Sequence, residues 1–295
     1  MTKDNDNQLL AWQGLTIPLK EDWRPLKIEG DHTKGSITIG NMDGPVFQLR
    51  WLRPAKNYDG VKWIKNRCKV AAGGQTSDNP PRPEAFDETE WIEDLAIRQE
   101  SEKTVWWGYA KTANVLVEIL LTNLCSQEIN RWFKRHALPK LDVIPPTEDC
   151  VWSIYSCRFT IPPGYVLNRK RLAAGDLAFE FFGDTGKKVM IRQVFPALLA
   201  LQRRSYQGWL RDRVFKERRR CRKERETTMD DGLQLTWRGQ KKLPFPFGFL
   251  FPRQWVAVIA HDEDLDRLLI VESEWKNGRQ AAPAEPILDS MRRTA

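Results

Sequence analysis

Residues 152–167 read WSIYSCRFTIPPGYVL, 174–195 read AGDLAFEFFGDTGKKVMIRQVF and 208–214 read GWLRDRV. A weaker version stands earlier: WQGLTIPLKEDWRPL at 12–26, KGSITIGNMDGPVFQLRW at 34–51 and KWIKNRC at 62–68. Ile17-Pro18 answers Ile161-Pro162, and Gly35 answers Gly175. Phe47-Gln-Leu-Arg50 answers Met190-Ile-Arg192, and Trp63-Ile-Lys-Asn-Arg67 answers Trp209-Leu-Arg-Asp-Arg213. The offset stays between roughly 140 and 146 residues, which marks two tandem copies of one domain.

The copies divide the 295 residues. Residues 1–8 read as a disordered N-terminus, 9–141 as the first repeat and 150–275 as the second. Between them, 142–149 reads as a linker, because each residue before a proline is pushed out of the helical region. Residues 276–295 read as a loose tail, or a frayed helix at 286–292. Within each copy the order is strands, hairpin, helix, loop, hairpin. Asn41-Met-Asp-Gly44 and Gly183-Asp-Thr-Gly186 supply turns between alternating strands. Further hairpins join 105–109 to 115–121 and 255–260 to 268–274. Apolar residues at helical spacing predict helices over 59–68 and 127–137 and from Ala197 onward. Residues 71–90, rich in Gly and Pro, read as a surface loop. The predicted fold class is α+β: two tandem copies of an antiparallel sheet with helices packed on one face.

Each copy resembles the α+β domain of the PsbP-like family, the fold shared with a nuclear-import regulator that binds the GTPase Ran. The carrying features are an opening strand into Ile-Pro with a following aromatic residue (Ile17-Pro18 with Trp23, Ile161-Pro162 with Tyr165), a hairpin, and an amphipathic helix. The resemblance implies a fold and a tendency toward non-catalytic accessory roles. No functional residue carries over, because no functional motif matches.

Charge separates the copies. Residues 1–147 hold 20 basic and 20 acidic side chains, and residues 148–295 hold 27 and 19. The excess of +8 therefore lies in the second copy and points to an acidic partner. Its centre is 203–225, with eleven basic residues and three acidic ones. Tyr206, Trp209, Leu210 and Val214 recur at helical spacing, so a basic helix is expected, solvated beyond Phe215. Its candidate contact residues are Arg211, Lys216, Arg218, Arg219, Arg220, Arg222 and Lys223. The second candidate is LPFPFGFLF at 243–251, whose Phe245, Phe247, Phe249 and Phe251 form a docking patch or a lid. Glu84 to Glu102 carries eight carboxylates against Arg98 alone and reads as a solvated face or a clamp for those arginines.

Chemistry is harder to assemble. His32, His136 and His261 lie far apart, and the five cysteines (Cys68, Cys125, Cys150, Cys157, Cys221) include no CxxC pair, so no metal or other cofactor is expected. An odd cysteine count and a polar N-terminus without a signal-like apolar core point to reduced thiols and a cytoplasmic setting. No apolar run reaches the ~18–20 residues of a membrane span. Gly183-Asp-Thr-Gly186-Lys187 lacks phosphate-loop spacing and precedes a strand. The expectation is a non-catalytic binding or assembly component that docks an acidic protein surface through the basic helix and aromatic loop. The alternative is nucleic acid held by the same arginines.

Overall fold

The computed structural model describes residues 8–55, 59–60, 62–64, 66, 75–76, 92–98, 101–122, 127–202, 208–209, 221–229, 232–241, 253–276 and 283–292. The chain divides into two units, Met1–Ser156 and Cys157–Ala295.

In the first unit, Leu9 to Leu19 is not one strand. Gln13 at φ 55° and Gly14 at φ 81° turn it into a hairpin of β1 (Gln8–Trp12) and β2 (Leu15–Leu19). A glycine at the second turn position takes the left-handed conformation without a Cβ clash. There follow β3 (Arg24–Gly30), β4 (Lys34–Asn41), β5 (Gly44–Leu52), β6 (Gln75–Thr76), β7 (Ile92–Arg98), β8 (Ser101–Ala110) and β9 (Val115–Leu121). They make one antiparallel sheet in the order β3-β4-β5-β9-β8-β7-β6. Helix α1 (Gln127–Trp132) runs into a π turn, Phe133–Ala137. Phe133 is fully buried and stacks on Trp106 at 5.3 Å and meets Phe47 edge-on at 5.1 Å. Trp23 packs on Phe47 and Trp132. Large rings thus make the core.

Strands β10 (Asp142–Val143) and β11 (Cys150–Ile154) belong to this unit as well. Strand β10 pairs with β2, and β11 with β1. Segment 142–149 thus carries a strand rather than bare chain. The β1–β11 ladder matches Ala11 with Ser153, and Trp12 meets Trp152 edge-on at 5.0 Å.

The second unit holds β12 (Cys157–Ile161), β13 (Tyr165–Ala173), β14 (Asp176–Gly183), β15 (Lys188–Val194), β16 (Cys221–Met229), β17 (Gly232–Lys241), β18 (Arg253–Asp262) and β19 (Arg267–Lys276). Its sheet runs β13-β14-β15-β19-β18-β17-β16, the same order strand for strand as in the first unit. The ladders align the copies without ambiguity. Leu49 faces Ile119 where Ile191 faces Val271. The offset is therefore 142 residues through β5 and β15 and 152 at β9 and β19. Leu19, not Ile17, is the counterpart of Ile161, and Lys34 is the counterpart of Asp176, so Gly175 answers Thr33 and not Gly35.

The α+β expectation is overturned. The protein is mainly β, with three antiparallel sheets. Among the described residues the helices with complete bounds are short: α1, α2 (Ala197–Leu201) and α3 (Ala284–Arg292); residues 60, 62–64, 66 and 208–209 are helical as well. They are not confined to one face of a sheet. Ala197 of α2 and Trp209 lie with Trp255, Ala257, Ile259 and Ile270 in one cluster. On the alternating face Phe159 of β12 packs on Phe179 and Phe181, and α3 packs on β12, β18 and β19.

Three stretches explain the difference. Residues 221–225, expected in the basic helix, open β16, which pairs with β17 through a bulge between Lys223 and Arg225. Part of the expected loop, Gln75–Thr76, pairs with β7, which itself rises from the acidic stretch. Cross-strand pairing along ten-residue hairpins outweighs the local helical preference of Lys, Arg and Glu. The presumed tail forms α3, with Ile287, Leu288 and Met291 buried at helical spacing.

Candidate functional site

The sequence candidates fall mostly beyond what the structure describes. Arg211, Lys216, Arg218, Arg219, Arg220, Phe245, Phe247, Phe249 and Phe251 lie outside the described residues. Arg222 and Lys223 stand on β16, an edge strand of the second sheet rather than a helix. Cationic residues on an edge strand also discourage pairing with other chains, so their place alone does not mark a site.

Two described places stand out. The first is a corner of the second unit. Phe195 donates its amide to the Gly175 carbonyl. Ala197 donates to the Asp266 carbonyl at 2.6 Å, and Leu198 to Asp266 Oδ1 at 2.8 Å. These bonds bring the start of α2 to the β18–β19 turn. Phe195, Leu198, Leu199 and Leu265 are 51%, 66%, 61% and 43% exposed there. At the matching offsets the first unit has Arg53 for Phe195 and Ala113 for Leu265. Ala113 is buried. Arg53 donates to the Gln13 carbonyl and lies 3.5 Å from that of Ala113. Burial lowers the Arg53 pKa, and burial first, then the charge of Arg53, lowers that of His32. At the two positions described in both units, the first has a hydrogen-bonded arginine and a buried alanine where the second has exposed apolar side chains. Glu263 and Asp264, both exposed, rim the corner.

The second place is a cavity of about 480 Å³ in the first unit, lined by Glu29, Lys34, Ser36, Arg50, Trp51, Leu52, Trp63, Leu116 and Glu118 among others. Ser36 stands opposite Arg50 across β4 and β5, and Arg50 opposite Glu118 across β5 and β9. Arg50 Nη1 donates to Glu118 Oε1 at 2.7 Å and its Nε to Gln48 at 2.8 Å. The other Glu118 oxygen accepts Trp107 Nε1 at 2.8 Å. Lys27 pairs with Glu29 at 2.8 Å.

In the second unit the matching arginine is engaged by a carboxylate. Arg192, the counterpart of Arg50, donates through Nε and Nη2 to Asp176 at 2.8 and 2.6 Å. Arg171 adds a further bond to Asp176. The Trp209 ring lies 5.7 Å from the Arg192 guanidinium. Burial raises the Asp176 pKa, but the hydrogen bonds from Arg192 and Arg171 outweigh it, and the carboxyl ends below its ordinary value.

Nucleophilic thiols are not found in the described part. Burial pushes Cys150 up to about 11 and Cys157 up to about 12, so both are thiols at neutral pH. Among the described residues no three His, Cys, Asp or Glu side chains gather as metal ligands, and no helix is long and apolar enough to cross a membrane.

The open corner and the cavity were both missed in the sequence. The aligned pairs Arg50 with Arg192 and Trp63 with Trp209 were a signal for the cavity. A comparison with models of protein families finds no match to this chain, and a comparison with curated proteins finds none either.

Proposed function

We propose that this protein is a non-catalytic binding or assembly component of the cytoplasm that docks a partner protein through its second unit. The observation that carries this reading is the apolar corner of Phe195, Leu198, Leu199 and Leu265. At the positions of Phe195 and Leu265 the first unit has Arg53 and the buried Ala113, so the shared frame does not require apolar exposure at those two places. An apolar centre with a charged rim is the anatomy of a protein interface. The corner leads within a few residues into 203–225, whose eleven cations favour an acidic partner. Arg211, Lys216, Arg218, Arg219, Arg220, Arg222 and Lys223 form the cationic part of the proposed surface, and Phe245, Phe247, Phe249 and Phe251 its second apolar part.

The test is capture from nuclease-treated extract of the source cells, with each recovered protein identified and rebound in purified form. Leu198→Glu with Leu199→Glu should abolish rebinding while circular dichroism stays unchanged. Arg218→Ala, Arg219→Ala and Arg220→Ala together should weaken it with a milder salt dependence. Rebinding that ignores both sets of substitutions would overturn the reading. Retention that vanishes with nuclease would assign the arginines to nucleic acid instead.

A further inference from the structure

We propose that the cavity of the first unit binds a small organic anion, a monocarboxylate carried on a flat apolar body. The argument is internal to the molecule and independent of the docking surface. In the second unit, a carboxylate from Asp176 engages the Arg192 guanidinium at two nitrogens, with the Trp209 indole on that guanidinium. The first unit keeps the arginine as Arg50 and the indole as Trp63. At the position of Asp176 it places Lys34. A built-in anion is replaced there by a cation, and the two matching side chains now line an open cavity.

The charges set the ligand's charge. Glu118 is taken by Arg50 and Trp107, and Glu29 by Lys27. Among the described residues Lys34 forms no ion pair, though its charge helps to lower the pKa of the neighbouring Asp31, which does not line the cavity; within the lining Lys34 is the charge left over. One surplus cation selects a single negative charge. Arg50 keeps Nη2 for the same anion, since Nη1 and Nε are the atoms bonded to Glu118 and Gln48. Bidentate recognition by guanidinium and ammonium favours a carboxylate. The walls set the ligand's body. Trp51 and Trp63 offer ring surface and Leu52 and Leu116 aliphatic surface. A volume of about 480 Å³ falls within the range of small-ligand sites, about 300–1,000 Å³.

The experiment is isothermal titration of the full chain with naphthoate, and with naphthalenemethanol as its uncharged analogue. Saturable binding of naphthoate, with the alcohol at least about tenfold weaker, is expected. Lys34→Asp writes the second unit's carboxylate into the first, where it competes for Arg50, and should lower naphthoate affinity by at least about tenfold. Lys34→Arg keeps the charge and should retain binding. Arg171→Gln, a substitution in the second unit that touches none of the cavity's lining residues, should bind as the wild type does. Lys34 is exposed, and near-ultraviolet circular dichroism confirms that each variant is folded. Equal affinity for acid and alcohol, no binding of naphthoate, or undiminished binding by folded Lys34→Asp would each overturn the proposal.

Discussion

At the scale of single residues, the difference between the copies rests on a few side chains in a shared frame. Lys34 and Asp176 occupy one position and carry opposite charge; Arg53 and Phe195 occupy another and differ in polarity. The sequence displayed the arginines and tryptophans that match, but not these swaps. Aligning Gly35 with Gly175 shifts the register by two residues and hides Lys34 against Asp176. Only the ladders, which match Leu49 with Ile119 and Ile191 with Val271, remove the shift. The Asp176–Arg192 pair also has a pH signature. A lowered carboxyl pKa contributes stability that is present above the unfolded value and is lost as pH falls through the folded one. Asp176→Asn should therefore cost roughly 1–2 kcal/mol at neutral pH, discounted for its partial exposure. Urea unfolding should show that cost shrinking as pH falls below the ordinary carboxylate range. A cost independent of pH would assign the effect to packing.

At the scale of elements, turn chemistry decided what was legible. The hairpins β4–β5, β8–β9, β14–β15 and β18–β19 announce themselves through Gly, Asn and Asp between alternating strands. The β1–β2 turn and the turn at Tyr155, φ 52°, do not, because Gln13 and Tyr155 rarely take positive φ. Strand β16 was hidden for a different reason. CRKERETTM has the composition of a solvated helix, and its pairing with β17 is specified by the partner strand. Helix α3 was legible only as a frayed helix at 286–292, the alternative to a loose tail, because its apolar positions are few; Ile287, Leu288 and Met291 are nevertheless buried. Each fully buried side chain contributes roughly 1.5–3 kcal/mol. Deleting residues 284–295 should therefore lower the stability of the second unit by at least about 4 kcal/mol, seen as a lower urea midpoint. An unchanged midpoint would mean that α3 is dispensable.

At the scale of the whole chain, the repeat boundary and the structural boundary differ. Strand β11 opens the second repeat in sequence, yet it pairs with β1 of the first, at residues Ala11 and Ser153 that correspond to each other. A fragment of residues 1–156 should accordingly fold cooperatively, whereas 1–147 leaves β1 without that partner and Trp12 without Trp152. The shorter fragment should unfold at a lower urea concentration, by at least about 2 kcal/mol, measured by tryptophan fluorescence. Equal stability would return the boundary to the linker. The duplication, the main hairpins and the lopsided charge were determined by the sequence alone, since each is a matter of local pattern or composition. The mainly β class, the edge position of Arg222 and Lys223, the exposed apolar corner of the second unit and the cavity at Lys34 were decided only by tertiary structure. Those features depend on which residues face each other across strands distant in the chain, and hydrophobic period and residue type carry no record of that pairing.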